Sequence, residues 1–382
     1  MEHDARAERL ERVLADTKLG HAAAAVPLSG FSNDTWRFGS HVLRICWNGD
    51  VQRLEREASV AADLPPEVRY PPLVAAGRSG ELAWTVTRWV EGVPLAEVWP
   101  RLSDRDRAGA VDQLAQALAA LHQWTPRGPA SQLVNAREAV DLSDPVAVVG
   151  ATLNPLPLDR ATALAGHARS LPFVRPQLVD DLLERLRGLA VHDPYIDTAG
   201  HVVVHGDAHL NNVLWNDGRL VALLDLEWVR LGPRDLELEP FLRAVDWSGQ
   251  EPELMPEHEV SQLLGWLAGA YPGLFASPNL IGRLWLYQLT FTLRELFTWH
   301  AATAPPDRLA ADHPLNLLPK FVESSDHLER LLAGAGRPRP RGAGRRTPIS
   351  KDSAMGAGHA GARSPDRHRP PLLPGRGHGI PG

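Results

Sequence analysis

HVVVHGDAHLNNVLWNDGRLVALLDLEWVRLGPRDLELEP, from His201 to Pro240, is the stretch that decides how this chain is read. Val202-Val203-Val204 is a short apolar run, as expected of a buried strand, and the polar loop HGDAHLNN follows it directly. Val213-Leu214-Trp215, a turn over Asn216–Arg219 and the run Leu220 to Asp225 predict a hairpin, with Asp217-Gly218 as its turn pair. In an antiparallel hairpin the residue entering the first strand lies beside the residue leaving the second. Asn212 is therefore expected next to Asp225 at the open end. Asp207 sits in the loop that feeds the same end. One amide oxygen and two carboxylates then converge on one small volume. Hard oxygen ligands of this kind suit Mg2+, which takes one or two protein carboxylates and fills its other positions with phosphate and water. A carboxylate left free of metal can orient a hydroxyl and accept its proton, the arrangement that phosphoryl transfer requires.

HGDAHLNN resembles the catalytic loop of aminoglycoside phosphotransferases and choline kinases, written H-G-D-x-H-x-x-N. LLDLEWVRLGPRDLEL resembles the metal segment that follows it there, an Asp near a Glu, then a Gly and a second Asp. The resemblance implies an α+β, two-lobed protein-kinase-like fold with a strand-rich N-terminal lobe and a mainly helical C-terminal lobe. It also implies transfer of the γ-phosphate of ATP or GTP to a hydroxyl of a small molecule. By position, it makes Asp207 the catalytic base and Asn212 and Asp225 the Mg2+ ligands. Glu227 stands as a water-mediated metal contact or as a carboxylate behind the ligands. Asp235 is expected to brace the catalytic loop and reads also as a helix N-cap before LELEPFLRAV. His205 is expected to orient the loop through backbone hydrogen bonds, and His209 either touches substrate or packs. His122, in LAALHQW, recurs in such kinases at a helix end, with core packing its expected role.

The resemblance extends through about residues 20–330, loosest between 125 and 200 and beyond 250. SGFSNDTWRF resembles the family's nucleotide loop: Gly30 gives the turn, and Ser32 and Asn33 offer hydroxyl and amide donors to phosphate. HVLRI aligns with the strand that normally carries a phosphate-binding lysine. Here it carries Arg44, which keeps the charge and can fork onto two oxygens. A helix glutamate holds that cation in the family. Glu55 and Glu57 both flank the apolar stripe of the helix, and the likeness of REAS to the family's Arg-Glu-Ala pattern favours Glu57. The connection through Trp89 and Val90 is expected as the hinge whose backbone reads the base.

Around these motifs, the first ninety or so residues read as strands with one helix. DTWRF and HVLRICW flank a turn at Gly39-Ser40, VQRLEREASVAADL is a helix stopped by Pro65-Pro66, and PLVAAG and LAWTVTRWV form a second hairpin. Asp104 to Trp124 repeats apolar residues at helical spacing. The seam near Glu91–Pro94 divides a small nucleotide-binding lobe, 1–92, from a large catalytic and substrate lobe, 93–333. The Gly-, Pro- and Arg-rich segment 334–382 is expected to be a disordered basic tail.

Composition limits the class. The chain has 382 residues, 44% hydrophobic and 23% charged, enough for two lobes. Its one cysteine, Cys46, excludes an intrachain disulfide and reads as a small buried hydrophobe. Net charge is −6, with a tail of about +8 and a body of about −14. An acidic body argues against a nucleic-acid partner and suits a cationic acceptor such as an aminoglycoside. The acids from Asp235 to Glu259, with Trp247, Trp266 and Trp285, are candidates for an acceptor pocket. No membrane span is expected, since Leu280 to Phe297 is interrupted by Arg283, Arg294 and Glu295. MEHDARAERLERVL lacks the apolar core of a signal peptide, and a cytoplasmic protein is the plain expectation. Two rivals are weighed. A dinuclear phosphoesterase needs further His and Asp ligands that the chain lacks. A catalytically inactive nucleotide-binding module would have lost Asp207, Asn212 or Asp225.

Overall fold

Alternation of apolar and polar residues in DTWRF and HVLRIC builds the first sheet. The computed structural model describes residues 2–17, 19–28, 33–47, 52–135, 139–150, 156–246, 254–298, 313–323 and 326–335. Strands β1 (Val26–Leu28), β2 (Asp34–Phe38), β3 (His41–Cys46), β4 (Leu73–Ser79) and β5 (Leu82–Arg88) form one antiparallel sheet in the order β1-β2-β3-β5-β4. Its buried side chains, Trp36, Phe38, Leu43, Ile45, Leu82, Trp84 and Val86, pack with Leu10 and Val13 of α1 (Glu2–Leu14) as a separate small core. On the other face lies α2 (Gln52–Ala61), with Cys46 buried between Leu54 and Ala83. The helix ends three residues short of the expected Leu64, because Ala62 and Asp63 turn the chain ahead of Pro65.

The connection leaves this sheet after β5 and joins the second body at β6 (Val93–Pro94), which pairs with β8 (Val213–Asn216). A Cβ at Gly92 would lie 2.9 Å from Val221 Cγ2 and 3.2 Å from the Trp215 carbonyl, so only glycine lets the connection cross the hairpin this closely. Beyond it lie α3 (Leu95–Val98), α4 (Asp104–Gln123), α5 (Gly128–Asn135), α6 (Pro145–Gly150), α7 (Leu158–His167) and α8 (Pro176–Leu189). After the strand segment come α9 (Glu239–Arg243), α10 (Glu257–Ala270), α11 (Leu280–Thr298), α12 (Pro314–Val322) and α13 (His327–Ala335). Ser103 caps α4, its Oγ accepting the Asp106 N–H at 3.2 Å. The predicted stripe of Val111, Leu114, Ala115, Leu118 and Leu121 is buried in the large core with α10 and α11. Among the described residues, no helix is long and apolar enough to cross a membrane.

The strands of the large body place the site. β7 (Val202–Val204) pairs with β10 (Arg230–Gly232), and β8 pairs with β9 (Arg219–Leu223). β10 is a correction to the sequence reading, which saw no strand after Leu226. Its three residues are too few to show alternation, and its partner lies nearly thirty residues away in sequence. Asp217 (φ 45°) and Gly218 (φ 78°) form the predicted turn. The segment from residue 336 onward and the nucleotide-loop residues Gly30 and Ser32 lie outside the described residues. Gly334 and Ala335, read as the start of the tail, close α13 instead.

Candidate active site

The expected catalytic loop leaves β7 and turns at Gly206, whose φ of +78° places it in the left-handed region. A Cβ there would sit 2.6 Å from Arg230 NH1 and 3.1 Å from the Trp228 carbonyl, so glycine is required twice over. Glu237 fixes this turn. Its carboxylate accepts the His205 N–H at 2.6 Å and the Gly206 N–H at 3.2 Å, and it meets His122 Nε2 at 3.2 Å. Burial acts against its charge, but the bonds from His122 and the His205 backbone hold it below the usual carboxylate range. His205 ties the loop to the hairpin: Nε2 lies 2.9 Å from the Leu224 carbonyl, and Nδ1 accepts the Asp207 N–H at 3.2 Å. That network assigns the proton to Nε2.

Asp235, expected as the brace, does something else. Its carboxylate pairs with Arg283 at 2.7 Å and accepts the Tyr287 hydroxyl at 2.9 Å, tying the segment to α11. It caps no helix, because the turn that holds it is a 3-10 helix over Arg234–Leu238 with Pro233 at its N-cap. His122 is buried as expected, yet it also carries the Glu237 brace and meets the Tyr271 hydroxyl at 2.9 Å.

The hairpin brings the remaining groups in. Val221 is an extra residue in β9, so Val213 faces Leu223, and the Leu224 N–H donates to the Asn212 carbonyl at 2.7 Å. Asn212 thus opposes Leu224, one residue short of Asp225. Its Nδ2 donates to the Asp207 carbonyl at 2.9 Å and lies 3.3 Å from Asp207 Oδ2, while its Oδ1 makes no hydrogen bond to the described residues. Asp225 adopts φ +65°, a conformation that Asp and Asn tolerate better than most residues. The Leu226 N–H after it donates to Glu57 Oε1 at 3.1 Å.

Across from this lies the group predicted on β3 and α2. Arg44 NH1 spans both Glu57 oxygens at 2.7 and 2.6 Å, and its NH2 reaches Asp225 Oδ1 at 3.3 Å and also Glu227. Tyr70 donates to Glu57 at 2.7 Å. Asn33 Nδ2 donates to Glu227, and Arg53 Nε lies 3.2 Å from the same carboxylate. Glu57 is thus the helix acid on Arg44, whereas Glu55 pairs with Arg78 at the surface. Glu57, Asp225 and Glu227 each offer an oxygen within 4.8 Å of the others. Burial first, then the charge of Asp225, push Glu227 up to about 7, with Arg44 and Arg53 opposing. Three carboxyl groups this close form a hard-oxygen donor set of the kind a divalent cation takes. Trp89 and Val90 form the half-buried connection after β5, with the Trp89 N–H on the Ser40 carbonyl at 2.8 Å.

Arg243 of α9 did not emerge from the sequence. Its NH2 donates to Asp207 Oδ1 at 2.6 Å, and its Nε to Glu239 Oε2 at 2.9 Å. Burial alone would raise the Asp207 pKa, but Arg243 and then His209 hold that carboxyl far below the usual range. His209 Nε2 lies 3.4 Å from Asp207 Oδ2. Of the acids read as candidates for an acceptor pocket, the three nearest the loop are engaged within the protein, and two others have only distant cations. Asp235, Glu237 and Glu239 have the partners above, Glu259 lies 3.9 Å from Arg107, and Glu257 lies 4.0 Å from Arg330. Trp266 packs edge-on against Trp99, and Trp285 against Phe321 and His327. Trp247, Glu251 and Glu253 lie outside the described residues.

The strand β7 with its loop, the β8–β9 hairpin, and an Arg44–Glu57 pair that joins the five-stranded sheet to α2 make up a kinase-like fold. The model of the phosphotransferase enzyme family matches residues 24–270, more than half of the chain, and the chain belongs to that family. By sequence, no curated protein matches. Among solved structures, the chain is similar to the ADP-bound aminoglycoside phosphotransferase APH(2'')-Ib, with 14% identity and TM-score 0.52 over 85% of this chain and 98% of that one. It is similar to a choline/ethanolamine kinase family protein from Mesorhizobium loti, at 18% identity and TM-score 0.54 over 87% and 98%. It is also similar to apo APH(4)-Ia, at 18% identity and TM-score 0.53 over 82% and 100%. At these identities the likeness establishes the fold.

Proposed function

We propose that this chain is a small-molecule kinase that moves the γ-phosphoryl group of ATP or GTP to an acceptor hydroxyl. The observation that carries the reading is the presence of two unlike carboxylates in loops that His205 ties together: Asp207 after β7, held ionised by Arg243, and Asp225 after β9, within reach of Arg44 and Glu227. Several fold neighbours were solved with nucleotides, ADP in one and GDP with kanamycin in another. In this reading the nucleotide lies between lobes 1–92 and 93–333. Its base meets the backbone at Trp89 and Val90, its phosphates meet Arg44, and Gly30, Ser32 and Asn33 close over them.

Asn212, Asp225 and Glu227 would hold Mg2+, which neutralises phosphate charge and leaves the γ-phosphorus open to attack. Asp207 accepts the hydrogen bond of the acceptor hydroxyl and aims its oxygen at that phosphorus. A bond forms from the acceptor oxygen to the γ-phosphorus, and the bond to the β,γ-bridging oxygen breaks. The nucleoside diphosphate leaves, and the hydroxyl proton passes to Asp207 Oδ2 and then to water. A carboxylate of such low basicity suits this chemistry, because positioning outweighs early proton removal in a loose transition state. Glu57 and Glu237 act at one remove, the first on Arg44 and the second on the loop. The test is nucleotide-dependent formation of a phosphate ester by the wild type, lost in Asp207→Asn while Mg-nucleotide binding persists. Binding without turnover in the wild type, over a broad acceptor set, would favour the inactive nucleotide-binding module instead.

A further inference from the structure

Three guanidinium groups gather around the loop that carries Asp207: Arg243 on Asp207 itself, Arg230 over Gly206 and Arg294 over Trp228. Arg243 uses NH2 on Asp207 and Nε on Glu239, which leaves NH1 with no hydrogen bond to the described residues. Arg230, at the start of β10, is buried and packs over Gly206 with NH1 on the Trp228 carbonyl at 2.6 Å. Its Nε and NH2 have no partner among the described residues. Arg294 of α11 stacks over the Trp228 ring at 5.0 Å and donates Nε to the Val149 carbonyl at 3.1 Å, leaving both terminal nitrogens unbonded within the described residues. Of these donors, those of Arg230 are buried without an acceptor, which is costly and rare in a finished core, whereas Arg243 and Arg294 are partly exposed and open to a ligand. Asp207, Glu239 and Glu295 are the anions that face this cluster. Asp207 and Glu239 hold Arg243, whereas burial, with Arg243 and Arg230 adding to it, lowers the Arg294 pKa against the pull of Glu295. Glu239 is pushed by burial up to about 7 and carries only part of its charge at neutral pH.

We propose that the acceptor carries an anionic group, a carboxylate or a phosphate, seated against Arg243 and Arg294, with the buried Arg230 behind them, while its hydroxyl lies on Asp207. The forked donors of arginine match either oxyanion, and the unused terminal nitrogens of Arg243 and Arg294 are those such a ligand would fill. This rests on the kinase reading above and sharpens it. It departs from the expectation of a cationic acceptor, which drew on the acidic body and on the acids from Asp235 to Glu259.

Two matched probe series test it on the full chain loaded with Mg2+ and ADP. One is glucose, glucosamine, gluconate and glucose 6-phosphate. The other is glycerol, 3-aminopropane-1,2-diol, glycerate and glycerol 3-phosphate. Thermal unfolding reads binding, and formation of ADP or GDP from ATP or GTP reads turnover. In at least one series an acidic member is expected to bind or react at least about tenfold better than its neutral and aminated counterparts, the worth of one charge-assisted hydrogen bond. Whether the carboxylate or the phosphate member responds tells the two oxyanions apart. Arg294→Gln should weaken that member by a similar factor and leave nucleotide affinity unchanged. Preference for the aminated members, or no distinction between acidic and neutral members in either series, overturns the inference. If Mg-nucleotide itself does not bind, the kinase reading falls with it. If nucleotide binds and an amine is phosphorylated, only the anionic acceptor is lost.

Discussion

The charged clusters around the loop and the hairpin differ in what their cations do. Around Asp225, Arg44 and Arg53 are spent on Glu57, Asp225 and Glu227. Around Asp207, Arg243 is spent on Asp207 and Glu239, while Arg230 and Arg294, faced by Glu295, keep donors unused among the described residues. In the proposed reading the first cluster takes a divalent cation and the second an oxyanion. Asp207 and Asp225 both lie in loops that leave a strand, β7 and β9, yet Asp207 is fixed by an arginine of the large body and Asp225 by one of the small sheet.

The largest expected effect breaks that contrast at its centre. Asp207→Asn should lower kcat by about 10²–10⁴, the range for losing a positioned catalytic carboxylate, and leave the nucleotide Kd nearly unchanged. Asp225→Asn keeps the residue's tolerance for positive φ and should instead raise the Mg2+ and nucleotide concentrations needed for turnover. If the two variants failed in the same way in titration and single-turnover experiments, the division of labour would be wrong.

Next is the brace. Glu237→Gln leaves His122 and one loop N–H without a full acceptor in a buried site. It should cost about 2–4 kcal/mol in urea unfolding and slow turnover by loosening the Gly206 turn. A loss under about 0.5 kcal/mol would show that the turn holds itself.

Glu239 gives a smaller, pH-dependent effect. Its pKa lies raised from 4.5 to about 7, mainly by burial. Between those values the folded chain keeps a proton that the unfolded chain has released, so stability falls as pH rises through that window and then levels off. Glu239→Gln should flatten that slope, with a gain of about 2 kcal/mol at pH 8 relative to pH 4.5, or several degrees in Tm. An unchanged slope would place the charge imbalance elsewhere. The smallest effect is expected far from the site: Arg12→Ala removes the exposed pair with Glu81 and should leave the urea midpoint within the scatter of repeat measurements.

The β7 strand, its loop and the Asp217-Gly218 hairpin were legible because periodicity and turn chemistry are local. The same holds for α4 and for the β2–β3 and β4–β5 hairpins. The Arg44–Glu57 pair was legible through the family pattern; periodicity left Glu55 open as well, and the fold decided by setting Glu57 beneath β3. What was missed is non-local or directional. Arg243 lies 36 residues beyond Asp207, with no spacing rule to join them. Asp235 and Glu237 are two residues apart on a 3-10 turn of about three residues, so they point to different sides. Sequence alone could not say which of the two faced the loop. The bulge at Val221 is likewise silent in the pattern, though it decides that Asn212 opposes Leu224.

The central claim is transfer of phosphate to a hydroxyl, and phosphorus NMR reads it most directly. The wild-type chain is incubated with Mg2+, ATP or GTP, and a mixture of polyols, sugar acids, sugar phosphates and amino alcohols, with Asp207→Asn alongside. The account predicts a new phosphate-ester resonance that grows in step with nucleoside diphosphate in the wild type and is absent from the variant. Nucleotide that stays intact, inorganic phosphate as the sole product, or equal ester formation by Asp207→Asn would contradict it.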